Sequence, residues 1–246
     1  MSRLQKVLHL GDDINTDDII PANRATTDSP EYLKHYALEH LIGEGKLLGY
    51  EVIEAGENFG CGSSREIAPI ALKAAGIKKV RARSFGEIFY RNSLNIGLPV
   101  EIIGHKLDNP VIKALTDAGG LIPYNHKRRS GQLSIPQNET SPRPMTMVEK
   151  ILSQASGNAY VQPGEVIFAK VDLAMSHDAV AASVAKLFYQ HFGQQEKIWD
   201  SNRVVLVADH FIQVNDIRDD RKADGLYQQM VQFAKTVRLV LLPNKQ

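Results

Sequence analysis

Gly60-Cys61-Gly62-Ser63-Ser64-Arg65-Glu66 decides the fold because of what flanks it. Glu51 to Ala55 reads as a strand, and Ile67 to Ala75 places Ile67, Ile70, Ala71 and Ala74 at helical spacing before Gly76, a good C-terminal stop. A strand, a glycine-rich turn and a helix form an α/β unit, and they put the turn at a strand's carboxyl end, where such folds bind ligands. The glycines let backbone approach a ligand closely. A following helix aims free N–H groups at an anion, and Arg65 can grip a carboxylate through two parallel hydrogen bonds. A plainer use of the same residues is a capping box, since Ser63 and Glu66 have the S-x-x-E spacing. Pro69 would then interrupt the new helix, so the helix is expected to start later than Ser63 or to open irregularly.

Outward from this turn, the first hundred residues alternate. Lys6 to Leu10 reads as a strand running into Gly11-Asp12-Asp13 and on to Asn15-Thr16-Asp17. Tyr32 to Leu41 reads as a helix, Val80 to Ser84 as a strand, Gly86 to Asn95 as a helix and Pro99 to Ile103 as a strand. From about His105 the pattern changes, and Tyr124 to Pro144 is polar and proline-containing, a linker signal. Its basic run, His126-Lys127-Arg128-Arg129, reads as a solvated charge cluster. Thr146-Met147-Val148-Glu149 has capping-box form and opens a second structured unit. Within that unit Glu165 to Asp172 is β-like, His177 to Phe192 helical, and Val204 to Ala208 a buried strand delivering Asp209-His210 at its end. Such a pair on a rigid strand suits catalysis; a strand end hydrogen-bonded to a neighbouring loop is as good a reading of an Asp-His alone.

Composition narrows the function classes. The 246 residues are 43% hydrophobic and 23% charged, the balance of a globular protein with room for two domains. Twenty-nine basic against 28 acidic residues give a formal charge of +1, so no bulk field steers the chain to nucleic acid or a membrane surface. One cysteine, Cys61, excludes an internal disulfide and fits a reducing compartment. No apolar run is long enough to span a bilayer, and a cytoplasmic location is expected.

With the G-x-G-S-S-R-E signature and the upstream Asn-Thr-Asp, the stretch from about Gly11 to about Gly104 resembles the small subunit, or swivel domain, of the aconitase family, nearest to 3-isopropylmalate dehydratase and homoaconitase. Thr146 to about Ala234, with Val171-Asp172-Leu173-Ala174-Met175-Ser176-His177-Asp178-Ala179 and Val207-Ala208-Asp209-His210-Phe211, resembles the start of the large subunit. The resemblance implies an α/β chain in three parts: a swivelling β/β/α domain over residues 1–125, a linker over 126–144, and a partial three-layer α/β/α segment over 145–246.

It also implies hydro-lyase chemistry, in which a hydroxyl moves between adjacent carbons of a hydroxy di- or tricarboxylic acid through an alkene. Such a reaction needs a base, a Lewis acid and cations for the carboxylates. By motif position, Ser63 is the proton-abstracting oxygen, Ser64 and Arg65 hold substrate, Asp209 and His210 belong to the acid pair at the departing hydroxyl, and His177 faces substrate. Asp17 orients charged neighbours. Arg24, in the loop that tunes the pocket, could bind a distal carboxylate and favour homoaconitate-like substrates; a solvent-facing loop arginine is the plainer reading of an isolated arginine in a polar loop. The Lewis acid of the family is a four-iron four-sulfur cluster, which needs cysteine thiolates. The resemblance fades after Phe233-Ala234-Lys235, ahead of the large subunit's cysteines, so the cluster is expected on a separate large subunit and not on this chain. The expected activity is that of 3-isopropylmalate dehydratase in leucine biosynthesis, inactive without its partner. The alternatives are homoaconitase- or aconitase-like activity, an inactive remnant, or a non-enzymatic binding module.

Overall fold

The computed structural model describes residues 6–25, 27, 29–63, 65–105, 109–211 and 220–242. It divides into two compact units, Met1–Phe168 and Ala169–Gln246.

The first unit is built on four parallel strands in the order β1 (Val7–His9), β2 (Val52–Ala55), β3 (Lys79–Ala82), β4 (Val100–Ile102). Each strand returns to the sheet through helix, as parallel pairing requires. Between β1 and β2 lie α1 (Thr16–Ile19), α2 (Pro30–Tyr36) and α3 (Glu39–Ile42); α4 (Ile67–Ala74) and α5 (Glu87–Ile96) follow β2 and β3. Leu8, Ile53 and Val80 face one way and join the core with Leu33, Ala71, Leu72 and Phe89 from the helices. The opposite face is polar. His9, Glu54, Arg81 and Glu101 are paired in register across all four strands, and Arg81 reaches Glu54 at 2.8 Å and Glu101 at 3.2 Å. A parallel sheet is normally covered on both faces; here alternating charge on one face takes the place of that cover.

Tyr32 to Leu41 is not one helix. The break between α2 and α3 falls at Leu38, whose φ of +59° no helix tolerates, and which donates its N–H to the carbonyl of Ile19 instead. Beyond β4, α6 (Pro110–Ala118) and α7 (Leu121–Arg129) pack through Val111, Leu115 and Tyr124 against Val166 and Phe168. Residues 126–129 of the expected linker thus belong to α7, and the break between units comes after Phe168 rather than within 126–144. Helix α8 (Met147–Ser156) forms with the capping box read from the sequence, Thr146 and Glu149 satisfying each other's backbone N–H. Glu165 to Asp172 forms no strand: the carbonyl of Val166 accepts from the side-chain amides of Asn109 and Asn138, both at 3.2 Å, leaving it out of any ladder.

The second unit has three parallel strands, β5 (Ala174–His177), β6 (Val204–Val207) and β7 (Val240–Leu242), with α9 (Asp178–Phe192) and α10 (Arg221–Val237) between them. Ala181, Ala185, Met230, Phe233 and Ala234 of the helices pack on Leu206 and Leu241 of the sheet. Both helices therefore lie on one face. The other face carries the in-register rows Met175, Val205, Val240 and His177, Val207, Leu242, and Met175, Val240 and Leu242 are exposed. The α/β expectation holds in both units; among the described residues the second has two layers, the sheet and the helices on one of its faces.

Candidate functional site

In the first unit, the loops leaving β1, β2 and β3 converge at the carboxyl edge of the sheet. Asn15 caps α1 in a reciprocal pair with Asp18, at 2.8 and 3.0 Å, and three further bonds stitch this segment to the turn. The N–H of Gly60 donates to Ile14 at 2.7 Å, the N–H of Thr16 to Cys61 at 2.9 Å, and the Thr16 hydroxyl to the carbonyl of Ser63 at 3.0 Å. Two motifs far apart in the chain thereby form one surface. Gly60 is fixed by two constraints: its φ is +78°, and a Cβ there would sit 2.2 Å from Cγ of Phe89.

A second lattice braces this surface. Asp12 accepts from the N–H of Glu57 at 2.8 Å and from Arg83 at 2.5 Å, and these bonds hold its carboxyl below the usual range. Ser84 accepts from the N–H of Asn58 at 2.8 Å and bonds Glu57 at 2.5 Å. Sequence reasoning missed these residues. The available signal was Gly56, where a Cβ would lie 1.7 Å from the Asp12 carboxylate.

Ser63 is exposed at the tip of the turn. It does not cap α4, whose N-cap is Glu66 with no side-chain bond, and Pro69 falls in the first turn where its missing N–H costs nothing. The capping-box alternative is thus not what this turn does. Ser64 lies outside the described residues. Arg65 Nη1 is 2.7 Å from Asp17 Oδ1, yet the nitrogen is shielded from water and makes no aligned hydrogen bond. It is an ion-paired guanidinium with donor capacity left over. Arg24 is placed differently. Its Nε bonds Glu39 at 3.0 Å and its guanidinium lies 4.0 Å over the Tyr36 ring, a structural commitment that leaves Glu39, not a ligand, as its carboxylate. The Cys61 thiol donates to the carbonyl of Asp13 at 3.7 Å, and burial, with Asp13 adding, pushes it up.

In the second unit, β5 ends at His177 and the segment after β6 delivers Asp209 and His210. The His177 and His210 rings stack 3.6 Å apart and within 2° of parallel, and Asp209 Oδ1 bonds His210 Nδ1 at 2.7 Å. The organising residue is Asp178, which is fully buried and was not singled out from the sequence. Its Oδ1 accepts the N–H groups of Asp209 at 3.3 Å and His210 at 3.0 Å, and its Oδ2 that of Phe211 at 2.6 Å. Burial opposes its charge, but the three N–H groups prevail and hold the carboxyl below its usual range. Asp178 also opens α9, where a negative charge complements the helix dipole. His177, Asp178 and His210 have ligand atoms within 4.8 Å of one another. Parallel stacked rings send their lone pairs along separate planes, however, and do not converge on one ion at bonding distance. His177 Nδ1 is buried without a partner.

Comparison with known proteins agrees with the first unit. Residues 46–103 match the family described as Aconitase C-terminal domain. The small subunit 1 of 3-isopropylmalate dehydratase from Methanopyrus kandleri is 56% identical over 94 residues, 37% of this chain and 55% of that protein. The small subunit from Thermodesulfovibrio yellowstonii is 39% identical over 158 residues, 51% of this chain and 94% of that protein. A solved structure, the 3-isopropylmalate dehydratase of Methanocaldococcus jannaschii, is 34% identical over 52% of this chain and 95% of its own, with a TM-score of 0.45. The chain thus spans little more than half of the Methanopyrus relative and nearly all of the Thermodesulfovibrio one.

Proposed function

Because this chain belongs to the family of 3-isopropylmalate dehydratase small subunits, we propose that it is the substrate-holding component of a hydro-lyase acting on 3-isopropylmalate. One observation carries the reading. The Asn-Thr-Asp segment is lashed to the glycine turn, so that exposed Ser63 stands beside a shielded Arg65 nitrogen with no aligned acceptor.

In this reading Arg65 takes a substrate carboxylate, exchanging its misaligned contact with Asp17 for a two-pronged one. Asp17 keeps the guanidinium in place until then. The Ser63 oxygen, ionised to an alkoxide that cations and backbone N–H groups stabilise, takes the substrate's carbon-bound proton and becomes the neutral hydroxyl. Ser64 is proposed beside Arg65 as a substrate contact. Arg24 stays with Glu39 and Tyr36, which favours the isopropyl-bearing substrate over one with a further acidic arm.

The four-iron four-sulfur cluster does not fit this chain. A cluster with one open iron requires three thiolates, whereas these 246 residues hold one cysteine, whose thiol is turned to the carbonyl of Asp13. The cluster belongs in this proposal to a large-subunit partner. The second unit is proposed as a large-subunit-like segment in which Asp209 and His210 form an acid pair oriented by Asp178, with His177 toward substrate. A second reading of this unit, as an inactive remnant, is favoured by its bare sheet face. No described helix is long and apolar enough to cross a membrane; a cytoplasmic location is part of the proposal.

The test is an anaerobic assay of the purified chain on isopropylmalate, homocitrate and citrate, following the alkene by ultraviolet absorbance, with and without a cluster-loaded large subunit. Isopropylmalate turnover only with the partner is the expected result. Turnover by the chain alone would contradict the assignment of the cluster, and no turnover with any partner would contradict the function.

A further inference from the structure

Helix α5 packs its inner side on the glycine turn and its outer side on a separate cavity of about 430 Å³ in the first unit, within the size range of small-molecule sites. Phe85, Tyr90, Ile102 and Val166 give it apolar walls, and Glu87 and Arg91 stand with them on the lining. Glu87, Tyr90 and Arg91 occupy positions i, i+3 and i+4 of α5 and so share one helix face. Neither Glu87 nor Arg91 has an ion-pair or hydrogen-bond partner among the described residues. The Tyr90 hydroxyl is shielded from water and equally unpartnered, a state that proteins seldom leave uncompensated. The far wall is held firmly, because the Val166 carbonyl is fixed by Asn109 and Asn138 and Phe168 stacks on Tyr124 at 5.2 Å.

We propose that this cavity binds a free α-amino acid with a compact apolar side chain, its carboxylate on Arg91, its ammonium on Glu87 and its side chain against Phe85, Ile102 and Val166. The chemistry selects this class. An open cleft with apolar walls, one cation and one anion matches a zwitterion, whereas a dicarboxylate would bring a second negative charge against Glu87. The Tyr90 hydroxyl supplies a donor for the carboxylate. The site is distinct from the Ser63 surface, and the proposal does not rest on the dehydratase reading. The two are nonetheless joined through one segment, since the N–H of Phe59 donates to Ser84 at 3.0 Å and that of Gly86 to Phe59 at 2.9 Å.

The experiment is isothermal titration of the purified chain with L-leucine, L-valine, 4-methylpentanoate, isopentylamine and succinate. Saturable binding of the two amino acids alone is expected. Arg91→Gln and Glu87→Gln, both at exposed positions, should each weaken it by at least about tenfold with unchanged circular dichroism. Tyr90→Phe should weaken binding while leaving the melting temperature the same or higher, because it removes a buried hydroxyl that has no partner; a purely structural tyrosine would show the reverse. Absence of saturable binding up to millimolar amino acid, equal affinity for 4-methylpentanoate or succinate, or unaltered affinity in both charge variants would overturn the proposal.

Discussion

Replacing Asp178 with Asn tests how the second unit holds its Asp-His pair. The shape is conserved, but one of the two carboxylate oxygens becomes an NH2 donor. In the orientation that keeps Oδ1 on residues 209 and 210, the new donor faces the N–H of Phe211, destroying the 2.6 Å bond. A hydrogen bond to a charged group is worth about 1.5–3 kcal/mol, and an orphaned buried N–H adds to the loss. The two surviving bonds fall from charge-assisted to neutral strength. The sum is about 3 kcal/mol, from a unit whose whole stability is of order 0.1 kcal/mol per residue. Trp199 is the one tryptophan in the chain and lies in this unit, so its fluorescence isolates the relevant transition during urea unfolding. With a slope near 1 kcal/mol per molar urea for so small a unit, the midpoint should fall by about 2–3 M. The carboxyl is held below its usual range. Its contribution is therefore present above the unfolded carboxylate value and lost as pH falls through the folded one, and the gap between the two proteins should narrow in acid. An unchanged midpoint at neutral pH would refute the claim that Asp178 ties residues 209–211 to α9.

Other outcomes follow from the first unit. Gly56→Ala should expel the Asp12 carboxylate from its place 1.7 Å from the new Cβ, breaking its bonds to Glu57 and Arg83 and lowering the urea midpoint of the first unit; an unchanged midpoint would show that Asp12 has another home. Arg81→Met removes the cation between Glu54 and Glu101. With side chains more than a third exposed the loss should be about 1 kcal/mol at low salt and should largely vanish in molar salt, where the Debye length is about 3 Å. Glu149, held by Arg143 first and then by the backbone and hydroxyl of Thr146, has its carboxyl lowered from 4.5 to about 2. Its folded value is depressed, so its contribution is complete above 4.5 and disappears as pH falls toward 2. Glu149→Gln should accordingly melt lower than the natural chain at pH 6 and equal it near pH 2.

Much of the first unit was legible because its signals are local. Strands of β-branched residues, helices with period near 3.6 and stops such as Gly76 need only neighbours in the chain to be read. The errors came where distant partners intervened. Tyr32 to Leu41 has good helical spacing, but the Leu38 N–H is claimed by Ile19, and the helix breaks. Glu165 to Asp172 has strand composition, but two asparagines from elsewhere take the Val166 carbonyl. The linker signal of 124–144 reflected real polarity, yet Tyr124 is fully buried and anchors α7 to Phe168.

The sequence by itself determined that this chain is α/β, that Gly60 to Glu66 forms a turn at a strand's carboxyl end, and that its lone cysteine cannot build an iron–sulfur cluster. Those conclusions rest on residue type and spacing, which no packing can alter. Tertiary structure decided the rest: that Asn15-Thr16-Asp17 closes on the turn, that Arg24 belongs to Glu39, and that a buried Asp178 organises Asp209 and His210. Hydrogen bonds and ion pairs between residues far apart in the chain leave no periodic trace in the sequence, because their geometry exists only once the intervening chain has folded.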